Sequence, residues 1–184
     1  MNFEIEFPYA EDTVYLAYSQ PYPYSRVIAH MFEVEQQITK LPQSRLEAQN
    51  DEQKSARGIF RRKITRKAVV YDRSLLCRTI CGLPVPKITI TANSAKLGTQ
   101  LSLQPSKRKT IFVTARVHPG ETNASTVYEG FLNQLVDQVE TSPILANYIL
   151  RLIPCMNPDG VVCGNYRSSL AGVDLNRQWI IPNR

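Results

Sequence analysis

His118 and Glu121 stand three apart in the stretch RVHPGETNAS, directly after the apolar run TIFVTARV, Thr110 to Val117. Imidazole and carboxylate are both ordinary zinc ligands, and three protein ligands plus a water make a catalytic zinc site. Between them, Pro119 fixes one φ and Gly120 relaxes the backbone, so both side chains can fold toward one point. A strand-end histidine beside a glutamate that caps the amides of a starting helix leaves the same four-residue signature. The stretch alone leaves both readings open.

A second concentration of chemistry lies in NPDGVVCGNYRSSLAGVDLNRQW, Asn157 to Trp179. It holds two arginines, Arg167 and Arg177, each a planar fork able to grip a carboxylate with two parallel hydrogen bonds. Asn176 adds an amide donor beside Arg177. A metal pair at one strand end and an Asn-Arg pair further on would suit a substrate with a free carboxylate near the bond to be cut. The competing reading is a local surface salt bridge between Asp174 and Arg177, which is worth little.

These side chains need elements to hold them. Thr13 to Tyr18 reads as an extended strand leading into a Pro-punctuated connector. A helix follows from Ser25 as N-cap, with Val27, Met31, Val34 and Ile38 at helical spacing. Residues 42–58 are polar and read as loop. SLLCRTI and KITITA, joined by CGLPVP, read as strands. TIFVTARV is β-branched and aromatic throughout, as in a strand buried on both faces. Val127, Phe131, Leu135 and Val139 mark one helix face, Ser142-Pro143 can open a shorter helical turn, and NYILRLI supplies another buried strand. Strand, helix, strand predicts an α/β fold with a mixed, largely parallel central sheet flanked by helices. Ligand sites in such sheets gather at the carboxyl ends of strands. His118 follows one such end, and Asn157-Pro158-Asp159-Gly160 the next.

At 184 residues, with 43% hydrophobic and 21% charged, the composition excludes a disordered chain and allows one domain, or one plus a remnant of another. No apolar stretch approaches the roughly 20 residues that span a bilayer, so no membrane is expected. The opening MNFEIEFPYAED lacks the basic start and apolar core of a signal peptide, so a cytoplasmic protein is expected. The net charge is +6, and six basic residues fall within the eleven from Arg57 to Lys67, which reads as a solvated loop or exposed strand edge. No aromatic interleaving supports base stacking, so no nucleic acid is expected. Cys77, Cys81, Cys155 and Cys163 fit neither a zinc ribbon nor a redox pair, and read as reduced, mostly buried thiols.

Taken together, HPGETNAS, NPDGV, GNYRSSLAGVDLNRQW and the upstream YLAYSQPYPYS resemble the cytosolic carboxypeptidases, a branch of the zinc metallocarboxypeptidases. The resemblance implies that residues 1–21 are the tail of a β-sandwich domain with its connector, and 22–184 part of the catalytic α/β domain. It implies one Zn2+ held by His118 and Glu121, with Arg167 polarising the scissile carbonyl. It also implies that Asn176 and Arg177 hold the substrate's C-terminal carboxylate. Members mostly trim glutamates from acidic protein tails, notably those of tubulin, and the basic surface is compatible with such partners. In the family the third zinc ligand is a His shortly after Asn-Arg-Gln-Trp, with a general-base Glu further on. Neither position occurs here, so the sequence reads as a truncated chain with a strand edge left unpaired. His30, on a helix, is read as a helical histidine rather than a displaced ligand. An aspartoacylase-type zinc amidohydrolase and a non-catalytic binder of acidic tails are the competing functions.

Overall fold

The computed structural model describes residues 4–41, 61–66, 69–93, 107–139 and 141–181. The first helix, α1, spans Tyr24–Lys40 and buries Val27, Met31, Val34 and Ile38 on one stripe. Fully burying such side chains stabilises the fold by about 1.5–3 kcal/mol each. Ser25 is not the cap expected. Pro23 precedes the helix with φ −72°, no side chain caps it, and the Pro23 carbonyl accepts from Arg26 and Val27. Proline's fixed φ starts the helix without a hydroxyl's help. Residues 13–18 form no strand. They are exposed, with no strand alongside among the described residues.

Among the described residues five strands follow: β1 (Arg62–Thr65), β2 (Val69–Arg78), β3 (Pro84–Ala92), β4 (Lys109–Thr114) and β5 (Tyr148–Ile153). They form one sheet in the order β1-β2-β3-β5-β4. The mixed α/β architecture is as expected, but the pairing among the described strands is mostly antiparallel, with β4 and β5 the one parallel pair there. The physical reason is connection length. β2 and β3 are joined by a tight turn, closed by Gly82 N–H donating to the Thr79 carbonyl, with Gly82 at φ 79°. Adjacent strands so joined must reverse direction, whereas β4 reaches β5 through a helix, which permits a parallel pair.

Cross-strand register builds the core. Ile64, Tyr71, Ile90, Leu150 and Ile111 lie in one row across all five strands, on the face that also carries Ile88 and Leu152. Helices α1 and α2 (Thr122–Asp137) pack against this face. The opposite face is polar, its matching row running Lys63, Asp72, Thr89, Arg151 and Phe112. β4 is not the strand buried on both faces that was expected: Ile111 on the core-facing row is 38% exposed and Phe112 opposite is 61% exposed. Its outer edge has no strand partner among the described residues.

On α2 the buried stripe is Tyr128, Leu132, Leu135 and Val136, while Val127 is exposed. Apolar residues occupy two neighbouring stripes of this helix, and the sheet takes the one carrying the wider tyrosine and leucines. The turn at Ser142-Pro143 opens α3 (Pro143–Asn147) as expected, with the Ser142 hydroxyl accepting from Leu145 N–H at 3.4 Å. Part of the basic stretch forms the edge strand β1, with Arg62 and Lys63 exposed but Ile64 and the following Arg66 buried, while the loop read at 42–58 lies outside the described residues. All four cysteines are free, but only Cys155 is buried, because Cys77 and Cys81 end the β2–β3 hairpin and Cys163 ends the turn α4 (Pro158–Val162). Among the described residues no helix is long and apolar enough to cross a membrane.

Candidate functional site

The two strands that run parallel deliver the site. The Ala115 amide donates to the Ile153 carbonyl, and the Met156 amide to the Ala115 carbonyl, so the ends of β4 and β5 stay paired. One chain then turns into His118-Pro119-Gly120-Glu121 and the other into α4. Asn157 staples them. Its amide donates to the carbonyls of Val117 and Ser168, and its side-chain oxygen accepts Gly160 N–H at 3.0 Å.

Glu121 precedes α2, yet its side chain caps no amide. Its carboxylate instead lies 2.9 Å from Nδ1 of His118. The helix-capping reading of this motif is therefore not what the structure shows. The other ring nitrogen, Nε2, lies 3.0 Å from Oδ1 of Asp174. His118 is buried, while Glu121 keeps about half its side chain open to solvent. A neutral imidazole carries one N–H. With a carboxylate oxygen facing each ring nitrogen, one contact sets acceptor against acceptor unless a proton or a metal cation lies between.

Asp174 is the hub. Its carboxylate meets His118 through one oxygen and accepts from Arg167 Nε at 2.8 Å through the other. It also N-caps the 3-10 turn Leu175–Arg177, accepting the Asn176 amide at 2.9 Å. Its backbone carbonyl accepts the Arg177 amide at 3.0 Å. Burial alone would push this carboxyl up. The hydrogen bonds from Arg167, His118 and Asn176 overcome that and bring it down to about 2. The salt bridge considered between Asp174 and Arg177 is instead made with Arg167, because a capping carboxylate points back along its own turn. The Asn176 side-chain oxygen accepts the Trp179 indole N–H at 2.8 Å, and Arg177 stands exposed beside it.

Two glycines set how closely the pieces approach. The Gly120 amide donates to the Tyr166 carbonyl at 2.7 Å, and a Cβ at Gly120 would collide with the Tyr166 ring. A Cβ at Gly160 would collide with Pro119 Cγ and sit 2.8 Å from the Ser168 carbonyl oxygen. Arg116, just ahead of the motif, is buried, and burial lowers its guanidinium's affinity for the proton.

The structure thus joins His118 and Arg167 through Asp174, with Glu121 attached through His118, and Asp174 also anchors Asn176 and Arg177 at their backbone amides. Asp174 was missed as a site residue by sequence reasoning. The signal available was a rule: a metal-bound histidine commonly gives its other N–H to a carboxylate. His30 lies on α1, 2.8 Å from Asn133 Oδ1, a helical histidine as expected.

Residues 71–183 match the zinc carboxypeptidase family model. The chain belongs to the zinc carboxypeptidase family. Over 184 residues it is 36% identical to cytosolic carboxypeptidase 4 of Homo sapiens and 37% identical to cytosolic carboxypeptidase 1 of Mus musculus. Both matches cover 100% of this chain, but only 14% of the human and 13% of the mouse protein. A metallo-carboxypeptidase structure from Burkholderia cenocepacia superposes with a TM-score of 0.58 at 27% identity, covering 89% of this chain and 34% of that one.

The family implies zinc, and the donor chemistry fits in part. An imidazole nitrogen and a carboxylate oxygen face one another, backed by a carboxylate that fixes the ring. Among the described residues no group of three or more His, Cys, Asp or Glu is placed to hold a metal ion. A complete site needs a further ligand.

Proposed function

We propose that this chain carries the zinc-binding and carboxylate-binding half of a metallocarboxypeptidase that removes C-terminal residues, glutamate above all, from acidic protein tails such as that of tubulin. One observation carries the reading: His118, Glu121, Asp174 and Arg167 form a continuous hydrogen-bonded chain at the ends of the two parallel strands. His118 and Glu121 would be the two zinc ligands supplied here. When bound, zinc polarises a carbonyl and acidifies its water.

The remaining roles belong to the chain's own side chains. Asp174 holds the His118 ring so that Nδ1 stays turned to Glu121. It grips Arg167 by Nε alone, and among the described residues no other hydrogen bond or ion pair engages that guanidinium. The terminal amino groups of Arg167 are then free to donate to a substrate carbonyl and to steady negative charge that grows as the bond breaks. Asn176 spends its side-chain oxygen on Trp179, which leaves its NH2 to donate to a carboxylate. Arg177, exposed beside it, offers a bidentate fork for the same group. Cytosolic carboxypeptidases are the relatives by sequence, and the net charge of +6 suits an acidic tail. Residues 1–21 are read as the tail of a preceding β-sandwich domain, and the chain as acting in the cytoplasm.

The test is zinc content and hydrolysis, measured on the intact protein and on His118→Ala. Peptides ending in free glutamates should be trimmed and amidated ones spared, with zinc and activity lost together in the variant. Retained tail binding without zinc would identify a non-catalytic binder. Cleavage of N-acyl amino acids in place of peptides would identify an aspartoacylase-type amidohydrolase.

A further inference from the structure

Arg116 stands two residues before His118 with φ 56°, a left-handed conformation that non-glycine residues seldom adopt. It is 4% exposed, and among the described residues no carboxylate meets its guanidinium. Three neutral acceptors meet it instead. Nε donates to the Pro119 carbonyl at 2.7 Å, and Nη1 donates to the Tyr22 carbonyl at 3.0 Å and to Ser125 Oγ at 2.9 Å. A buried cation is costly unless hydrogen bonds satisfy it. An unusual backbone conformation persists where the surroundings over-determine it, and such places cluster at functional sites.

The three acceptors come from three separate pieces of chain. Pro119 lies between the two proposed ligands, Ser125 in the first turn of α2, and Tyr22 in the connector ahead of α1. That connector touches the site twice more. The Tyr18 ring packs edge-on against Tyr166 at 5.9 Å, and Tyr166 in turn receives the Gly120 amide. Ser19 Oγ lies 2.8 Å from Thr122 Oγ1, one residue past Glu121. The connector therefore runs along the motif, with Arg116 as its buried tie.

We propose that Arg116 is a positioning residue that couples the connector, Tyr18 to Tyr22, to the His118–Glu121 loop, so that seating one favours metal binding at the other. The inference rests on reading His118 and Glu121 as ligands. Its logic is reciprocal: if the seated connector favours the metal, the metal must favour the seated connector. Lysine keeps the charge but is a point donor on a flexible stem, so it cannot bridge the three acceptors as a fixed fork does.

The experiment compares amide hydrogen exchange over residues 18–24 in the intact protein, stripped of zinc and loaded with it, for wild type and Arg116→Lys. In the wild type zinc should slow connector exchange by about fivefold or more. In Arg116→Lys that protection should vanish while α1 exchanges as before, and zinc affinity by chelator competition should fall roughly tenfold. Ser125→Ala, which leaves the tie between connector and loop, should keep the protection. Zinc binding without connector protection in the wild type overturns the coupling and leaves the ligand assignment standing. Full protection in Arg116→Lys overturns it as well. No zinc binding by the wild type removes the ligand assignment and the coupling with it. Should Arg116→Lys not fold, the wild-type and Ser125→Ala comparisons decide.

Discussion

Of the ion-paired clusters among the described residues, the one under α1 and the one around Asp174 are built alike but buried differently. Under α1, Glu35 and Arg73 are 2% and 3% exposed and joined directly. Tyr71 donates to the same carboxylate, Arg62 approaches it at 3.9 Å, and Phe32 places its ring 4.9 Å from the Arg73 guanidinium carbon. Burial, reinforced by the Glu35 charge, pushes the Tyr71 hydroxyl well above its usual range. Around Asp174, by contrast, only His118 is sealed, while Arg167 and Glu121 are 45% and 47% exposed. The first cluster spends its polar groups on each other. The second leaves Arg167's outer donors and one side of Glu121 facing solvent, where a ligand can reach them. The residue types are the same, so burial separates a charge pair that serves the fold from one available for chemistry.

The sharpest way to break this contrast is Glu35→Ala. Removing one partner of a buried pair typically costs about 3–5 kcal/mol, because the other charge loses its compensation. Denaturant unfolding should show a loss of that size, with zinc content per folded molecule unchanged. A loss under about 1 kcal/mol would place the Glu35 cluster with ordinary surface pairs. Arg177→Ala should do the reverse. Its folding free energy should scarcely move, while kcat/KM on peptides with a free C-terminus falls roughly 10–150-fold, the equivalent of about 1.5–3 kcal/mol from the lost charged hydrogen bonds. Unchanged kinetics would remove Arg177 from carboxylate binding.

Gly160→Ala tests the seam between the two strand ends. Its new Cβ would press on Pro119 and the Ser168 carbonyl, the second of which is backbone and cannot swing away. Overpacking of this kind costs about 1–3 kcal/mol. Because Pro119 lies inside the motif, zinc affinity should fall alongside thermal stability. A stable variant with full zinc affinity would show that the loop does not depend on this close approach.

Much of this was readable in the sequence where local chemistry dominates. The α1 stripe from Val27 to Ile38, the Ser142-Pro143 opening and the β5 strand all follow from spacing and turn residues that tertiary context did not override. The errors share a cause. TIFVTARV looks buried because burial on each face depends on what packs there, and the sequence of a strand cannot say whether it is an edge. The sheet is less parallel than expected because CGLPVP folds as a tight hairpin around Gly82, which its composition alone does not separate from a longer connection. In the site, His118, Glu121 and Arg167 were legible by type. Asp174 was not, since its partners lie at positions 118 and 167, and only folding reveals that one carboxylate serves both.

The mildest change in folding and the most selective in chemistry is Asp174→Asn. Asparagine keeps the shape and can still cap Asn176 N–H, so unfolding should shift little. It removes the charge that orients His118 and holds Arg167. Loss of such an outer partner lowers metal affinity by about 10–100-fold. The acid response should change in step. The folded-state pKa of about 2 lies below the ordinary 3.8, so the charged form is favoured by folding. The stability this contributes is fully present above pH 3.8 and is lost as pH falls toward 2. The metal-free Asp174→Asn variant should lack that portion of the wild-type acid transition, lying slightly below wild type near neutral pH and converging with it as pH falls toward 2. Zinc affinity equal to wild type in this variant would show that Asp174 serves the turn and not the ring. The exposed cluster would then be as structural as the buried one.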